Sequence, residues 1–347
     1  MKQEELQENA MERQEIEEVM KGIYRIPVPL EGNPLKELNS YLIRGGQSGS
    51  EHNLLVDTGF HTVSCRRAVE EGLELLGLSM DNTDILVTHL HADHSGNAPE
   101  LVRGNNRVYM SEVDCRYMMR SREDEGKPGV HTLQKMELIR HGVDRALIAE
   151  MLEATPSRKL AGDLRFTAYT QLREGDKIKV GPYTLTAILT PGHTPGQMCF
   201  EIEGTGAMIL GDHVLFDITP NITNWPDVED SLGDYLASLD KVDGYNVVLP
   251  LPGHRKPGDF HGRIASLKRH HERRLDECCT AIGALKRARL YDIAGLMTWK
   301  IRANGWEDFP APQRWFALGE CMAHLDHLQR MGRVRRHEDE MGYWYEI

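Results

Sequence analysis

No window of the 347-residue chain reaches the ~18 to 20 unbroken apolar residues that a membrane span needs. The opening MKQEELQENAMERQEIEEVM is charged where a secretory signal would be apolar, so a cytoplasmic location without membrane contact is expected. The six cysteines, Cys65, Cys115, Cys199, Cys278, Cys279 and Cys321, show no CxxC spacing. The adjacent pair would make a strained disulfide, so all six read as reduced thiols. Internal repeats and low-complexity tracts are missing too. So is a basic excess: 41 Lys and Arg face 53 Asp and Glu, a formal charge of −12. That balance argues against a chain whose main business is holding a nucleic acid backbone. No serine or cysteine stands in a nucleophile-elbow context, so a covalent acyl-enzyme has no visible nucleophile.

What is present divides along the chain. From Ile264 to Ile347 there are 14 basic and 12 acidic residues, which leaves 27 against 41 before it. The C-terminal quarter is a different compositional object. Residues 1–20 read as a charged leader, an exposed helix or a frayed tail. Short apolar runs then predict strands at Ile23–Val28, Ser40–Ile43, Asn53–Val56 and Ile85–Thr88. Between the last two, Val63, Ala68, Val69, Leu73 and Leu76 recur at helical spacing within His61–Leu76, and Gly77 is a stop signal. Strand, helix, strand is an α/β pattern. Further strands are predicted at Val108–Met110, Leu185–Leu189, Met198–Ile202, Ala207–Leu210 and Val247–Leu249, enough for two sheets. Residues 111–160 read as a helical insert carrying Met118, Met119, Met136, Leu138 and Ile139, interrupted at Gly126 to Gly129. It is either a self-packed surface excursion or a lid. From Ile264 three amphipathic helices, to about Ile282, Ala288–Leu296 and Pro312–Met331, and a hairpin about Glu340 to Gly342 suggest a winged-helix module over 264–347, leaving 21–263 for the main domain.

The chemistry concentrates in ILVTHLHADHSGN, Ile85 to Asn97. It places His89, His91, Asp93 and His94 at the end of an apolar run, four potential metal ligands within six residues. Residues two apart on extended chain point the same way, so His89 and His91 can approach one cation together. Asp93 and His94 are then placed to reach a second. More ligands are needed on other strand ends, and His193 in LTPGHTPG, Asp212 in MILGDHVLF and His254 in VVLPLPGHRKPG each follow an apolar run and a glycine. The carboxylate of Asp212 suits bridging, since each oxygen can take one cation.

The ordered set HxHxDH, His193, Asp212 and His254, with VDTG at Val56 to Gly59 upstream, resembles the metallo-β-lactamase superfamily, in particular its hydroxyacylglutathione hydrolase branch, over about Gly22 to Gly262. The resemblance implies a four-layer αββα sandwich with its metals at one rim of the sheets. It implies His89, His91 and His193 on one zinc, Asp93, His94 and His254 on the other, and Asp212 between them. Asp57 would orient a ligand. Class B lactamases lack the bridging Asp, which sets antibiotic hydrolysis aside. The redox branch carries Glu where His91 stands, so imidazole there favours zinc hydrolysis. The segment HHERRLDEC, His270 to Cys278, resembles lactamase-β-like proteins whose relatives include an endoribonuclease.

The implied enzyme holds two zinc ions, with iron and manganese as alternatives, whose shared hydroxide attacks a small thioester or ester of acyl-glutathione or acyl-CoA type. Asp93 would orient the hydroxide and accept a proton. Phosphodiester or RNA cleavage, lactone hydrolysis and a non-catalytic metal are the competing readings. His213 is a candidate neighbour of the ligands, and Arg255 and Lys256 are candidate substrate contacts. His324 and His327, one helical turn apart, read as surface residues. Arg333, Arg335 and Arg336 precede Glu338, Asp339 and Glu340, so the expected partners are a small-molecule substrate and, where the module packs between subunits, a second copy in a homodimer; nucleic acid is not expected. Trp299, Trp306, Trp315 and Trp344 are expected at that packing contact.

Overall fold

The computed structural model describes residues 15–46, 52–121, 128–154, 160–163 and 166–347. Strands β1 (Glu17–Met20), β2 (Ile23–Pro29), β3 (Glu37–Ile43), β4 (Asn53–Val56), β5 (Thr83–Leu86), β6 (Val108–Ser111) and β7 (Tyr169–Leu172) form one sheet in chain order. It is antiparallel through β4 and parallel from β4 to β7. The second sheet runs β12 (Leu249–Pro252), β11 (Ala207–Gly211), β10 (Met198–Ile202), β9 (Tyr183–Leu189), β8 (Lys177–Val180). Because β12 is an edge strand, its two prolines cost no ladder bond on the open side. It runs parallel to β11.

Side-chain alternation decides the layers. Tyr41, Ile43, Leu54 and Val56 point between the sheets and meet Leu185, Phe200, Ile202 and Ile209 of the other sheet. Leu42 and Leu55 point the opposite way, against Val69 and Leu73 of helix α1 (Val63–Leu75). The outer face of the second sheet, with Ile188, Met208 and Leu210, is covered by helix α7 (Ser231–Asp243) and helix α8 (Phe260–Ala284). The order is helix, sheet, sheet, helix: the α/β sandwich expected, followed by a C-terminal helical part. Helix α1 is capped by Thr62, whose hydroxyl accepts from the Cys65 amide. It stops at Gly77, whose φ of +70° a side chain would resist.

Four expectations change. Residues 1–14 and the break at Gly126 lie outside the described residues, but Glu17–Met20 is an edge strand, not the end of a leader. Strand β5 ends at Leu86, so His89 sits three residues past it, on a bend. Strands β1, β7 and β8 were not anticipated, and β12 lies two residues later than its apolar run. The insert supplies α2 to α6 only in part: α2 (Ala92–Ser95) and α3 (Ala98–Leu101) precede it, and α4 (Glu112–Arg120), α5 (Val130–Arg140) and α6 (Arg145–Ala154) lie within it. It is neither self-packed nor a free lid. Leu138, Val143, Ile148 and Met151 enter one core with Leu318, Leu325 and Leu328 of helix α10 (Ala311–Arg330) and with helix α9 (Leu290–Leu296).

The C-terminal part holds three helices, α8, α9 and α10, and the hairpin β13 (Arg335–Asp339) and β14 (Gly342–Glu346). Of the three arginines ahead of the hairpin turn, two are paired with carboxylates and one lies on a ring. Arg333 pairs with Asp276 at 3.0 Å, Arg335 faces Glu346 at 3.7 Å, and Arg336 lies over the Tyr343 ring. Trp299, Trp306 and Trp315 pack on the shared core, whereas Trp344 stacks on His337 within the hairpin. His324 is not on the surface. It is fully buried, 3.2 Å from His271, while His327 pairs with Asp230 at 2.9 Å.

Candidate metal centre

His89, His91, Asp93 and His94 lie on the loop and short helix that follow β5; His193 follows β9, Asp212 follows β11 and His254 follows β12. The two sheets therefore deliver their strand ends to one rim. There, Nε2 of His89 is 3.1 Å from Nδ1 of His91, which is 2.9 Å from Nε2 of His193. Beside this trio, Nε2 of His254 is 3.2 Å from Nε2 of His94 and 3.3 Å from Oδ2 of Asp93. Asp212 stands between the two sets: its Oδ1 is 3.4 Å from His94 Nε2, and its Oδ2 is 3.6 Å from His254 Nε2 and 3.8 Å from His193 Nε2.

The rear nitrogens explain the aim of the rings. The carbonyl of Asn221 accepts from Nδ1 of His193 and that of Glu37 from Nδ1 of His254, both at 2.8 Å. Asp57 accepts from Nδ1 of His94 at 2.7 Å. The Thr88 hydroxyl donates to Asp57 and lies 3.1 Å from Nδ1 of His89, so it accepts from that ring. With the proton held on the rear nitrogen, the inward one carries a lone pair. Asp57 itself has φ +61°, a conformation imposed where the chain turns out of β4, and Oδ1 takes the Thr88 amide.

These groups fit divalent cations. Three sets, His89, His91 and His193; His89, His94 and Asp212; and Asp93, His94 and His254, each bring their ligating atoms within 4.8 Å of one another. Among the described residues no group donates a well-formed hydrogen bond to the buried Oδ1 of Asp212, whose nearest cationic neighbour is His94 Nε2 at 3.4 Å. A buried acceptor without a donor costs about 1–3 kcal/mol, a cost a cation would remove. Burial, aided by the neighbouring imidazoles, holds His89 well below its ordinary pKa, and burial brings His91 down to about 3. Both are therefore neutral, as ligands must be. Burial also opposes charge on His94 and His254, but the carboxylates of Asp57, Asp212 and Asp93 raise the former and those of Asp212 and Asp93 the latter. Two imidazolium groups 3.2 Å apart would repel; a metal ion in their place answers the same carboxylates. Burial works against the Asp93 anion too, yet His94 and His254 draw it down to about 2. A Cβ at Gly253 would stand 2.7 Å from Asp212 Oδ1 and 2.8 Å from His94 Cε1, so only glycine fits behind the cluster.

The remaining expected residues lie elsewhere. His213 is buried with its ring against Tyr235, on the core side of the strand end, and belongs to none of the three ligand sets. Burial takes its pKa down to about 3. The Arg255 guanidinium donates to the carbonyl of Pro34 at 2.8 Å, which ties it to the β2–β3 connection, and Lys256 is exposed. Besides Thr88, whose hydroxyl joins Asp57 to His89, sequence reasoning missed two residues. The buried carboxylate of Asp114 accepts from the Leu90 amide, the Thr194 hydroxyl and the Gly196 amide at 2.7 to 2.9 Å, clamping the His89 loop to the His193 loop. Burial pushes it up to about 7 against those three donors. The Trp225 indole stacks on His91 with ring centres 6.1 Å apart and donates to the His193 carbonyl at 3.1 Å. Nothing in the local sequence distinguishes either from an ordinary helix acid or loop aromatic.

The chain is similar to known proteins. The metallo-beta-lactamase superfamily profile matches residues 36–254, and the metallo-beta-lactamase-like C-terminal domain profile matches residues 308–345. The lactamase-like protein adaB of Aspergillus niger is 26% identical over 345 residues, 88% of this chain and 89% of that protein. The atrochrysone carboxyl ACP thioesterase AacuM of Aspergillus aculeatus is 24% identical over 261 residues, 74% of this chain and 62% of its own. A solved metallo-beta-lactamase family protein from Thermus thermophilus superposes with a TM-score of 0.75 at 29% identity, covering 94% of this chain and 99% of that one. Since the matched span holds all seven inward-facing side chains and more than half of the sequence, the chain belongs to the metallo-beta-lactamase superfamily.

Proposed function

We propose that this protein is a binuclear zinc hydrolase acting on a small acyl thioester or ester. The observation that carries the reading is Asp212, which faces His193 with one oxygen and His94 with the other. Zinc held there would supply Lewis acidity and make water acidic enough to ionise near neutral pH, its pKa moving from 15.7 toward roughly 7. His89, His91 and His193 would hold one ion, Asp93, His94 and His254 the other, and Asp212 both. Imidazole and carboxylate donors suit zinc, and iron or manganese are the alternatives. Asp57 and Thr88 keep His94 and His89 in the tautomer that ligates. Asp93, the more open of the two site carboxylates, is placed to take up a proton from the attacking water.

The thioester reading draws support from the relative named as an ACP thioesterase and from the indole beside His91. Against a nucleic acid substrate stands the local neutralisation of Arg333 and Arg335. Unpaired cysteines, five of them buried, suit a reducing cytoplasmic setting. The test is a panel of acyl thioesters, a lactone and bis(p-nitrophenyl) phosphate offered to the zinc-loaded protein. Thioester turnover above the other two supports the reading; phosphodiester turnover above thioester turnover overturns it in favour of the endoribonuclease alternative.

A further inference from the structure

A cavity of about 440 Å³ lies between helix α5, the loop around Trp225 and helix α10, separated from the metal-facing imidazoles by the Trp225 ring. We propose that this cavity receives the pantetheine arm of an acyl thioester, with the acyl carbonyl past the indole edge at the metal centre; the inference rests on the thioesterase reading above.

The volume is in the range of ligand pockets. Leu133, Met136, Trp225 and Val228 offer apolar surface, while Gln134 and Gln329 offer amide donors and acceptors; the Asn224 amide already donates to Asp326 at 2.8 Å. A hydrocarbon chain laid over Gln134 and Gln329 would take their amides from water and answer them with nothing. A polyanion is disfavoured for another reason. Glu137, Asp227, Glu229 and Asp326 also line the cavity, and three of them already pair with Arg140, Arg120 and Arg330. What the lining matches is a thin, neutral chain carrying its own secondary amides, which is the chemistry of pantetheine. Arg336, which lies over the Tyr343 ring, also lines the cavity and can meet the phosphate carried at the far end of a phosphopantetheine arm.

The indole is the wall that the cavity and the metal-facing imidazoles share. Tyr117 packs edge-on against Trp225 with ring centres 5.6 Å apart, and its hydroxyl donates to the Pro226 carbonyl. The Trp225 ring is thus held between the cavity on one side and His91 on the other. An arm lying along it would deliver its sulfur to the rim where His91 and His193 meet.

The test compares one acyl group carried on pantetheine and on ethanethiol, and separately measures pantetheine binding to the metal-stripped protein by calorimetry. The expected result is a KM at least tenfold lower for the pantetheine thioester. Met136→Trp and Gln329→Trp, which fill the cavity from opposite walls, should each erase that advantage and abolish the calorimetric binding. Thioesters on coenzyme A and on an acyl carrier protein then distinguish the carrier: both retain the advantage if the arm alone is read, and one exceeds the other if its carrier adds contacts. Equal KM for the two simple thioesters, with no pantetheine binding, overturns the inference and leaves the hydrolase reading intact. Hydrolysis of neither thioester overturns the function instead, and calorimetry then decides the cavity by itself.

Discussion

Nδ1 of His94 lies 2.7 Å from Oδ2 of Asp57, and both side chains are closed to solvent. The carboxylate fixes the imidazole tautomer and strengthens the inward nitrogen as a donor. Asp57→Asn keeps the volume and tolerates the φ of +61°, but places a neutral amide against His94. Zinc affinity should fall roughly 10- to 100-fold, read by competition with a chelating dye. Unchanged affinity would remove Asp57 from the support of the site.

Asp212→Ala should cost more than that, over about 100-fold in turnover, since it deletes a ligating group rather than its support. Elemental analysis should give about two equivalents of metal per chain for the parent protein and fewer for the variant. The far-ultraviolet circular dichroism should not change, because the sheets have their own core. Dipicolinate should abolish activity and added zinc restore it. Wild-type turnover in the variant would end the bridging assignment.

Asp114→Ala would leave the Leu90 and Gly196 amides and the Thr194 hydroxyl facing an empty space. With about 1–3 kcal/mol for each buried donor left unpaired, the loss should be about 3 kcal/mol or more, seen as a lower urea midpoint. Turnover should fall as well, since the clamp joins the loops of His89 and His193. A stability change below about 0.5 kcal/mol would mean that water replaces the carboxylate.

Acid should loosen the C-terminal core. Burial lowers His324 to about 4, and burial together with His324 holds His271 well below its ordinary value, so both fold as neutral rings. A depressed folded pKa means that the unfolded chain binds more protons. This contribution to stability is therefore present above about 6.5 and is lost as pH falls from 6.5 toward 4. Within that window each histidine lowers the folding equilibrium by about tenfold per pH unit. Unfolding midpoints measured at pH 7.5, 6 and 5 should fall more steeply with acid for the parent than for His324→Leu. Identical slopes would show that the pair does not titrate there.

The seven metal-facing residues were legible because their signal is local. HxHxDH packs four donors into six positions, and His193, Asp212 and His254 each close an apolar run. The helix over Val63–Leu75 was legible from its period and from Gly77. Strand β1 was not, since an edge strand with EEVM has no buried face to pattern it. Strand β8, KIKV, alternates as a strand should but is only four residues long. His324 was misread as exposed because its partner, His271, is 53 positions away.

Read alone, the sequence carries the strand-and-helix alternation and the seven His and Asp side chains that could hold a metal. Both follow from interactions among neighbours along the chain: pleat, helical period, and donors crowded at a strand end. Only the tertiary structure decided that Asp114 clamps two loops, that Trp225 parts a cavity from the cluster, and that the insert and the C-terminal helices share one core. An amphipathic face records that it must be covered but not by what, since the hydrophobic effect has no direction and no address. The partner is chosen by which apolar surfaces the two sheets bring within reach.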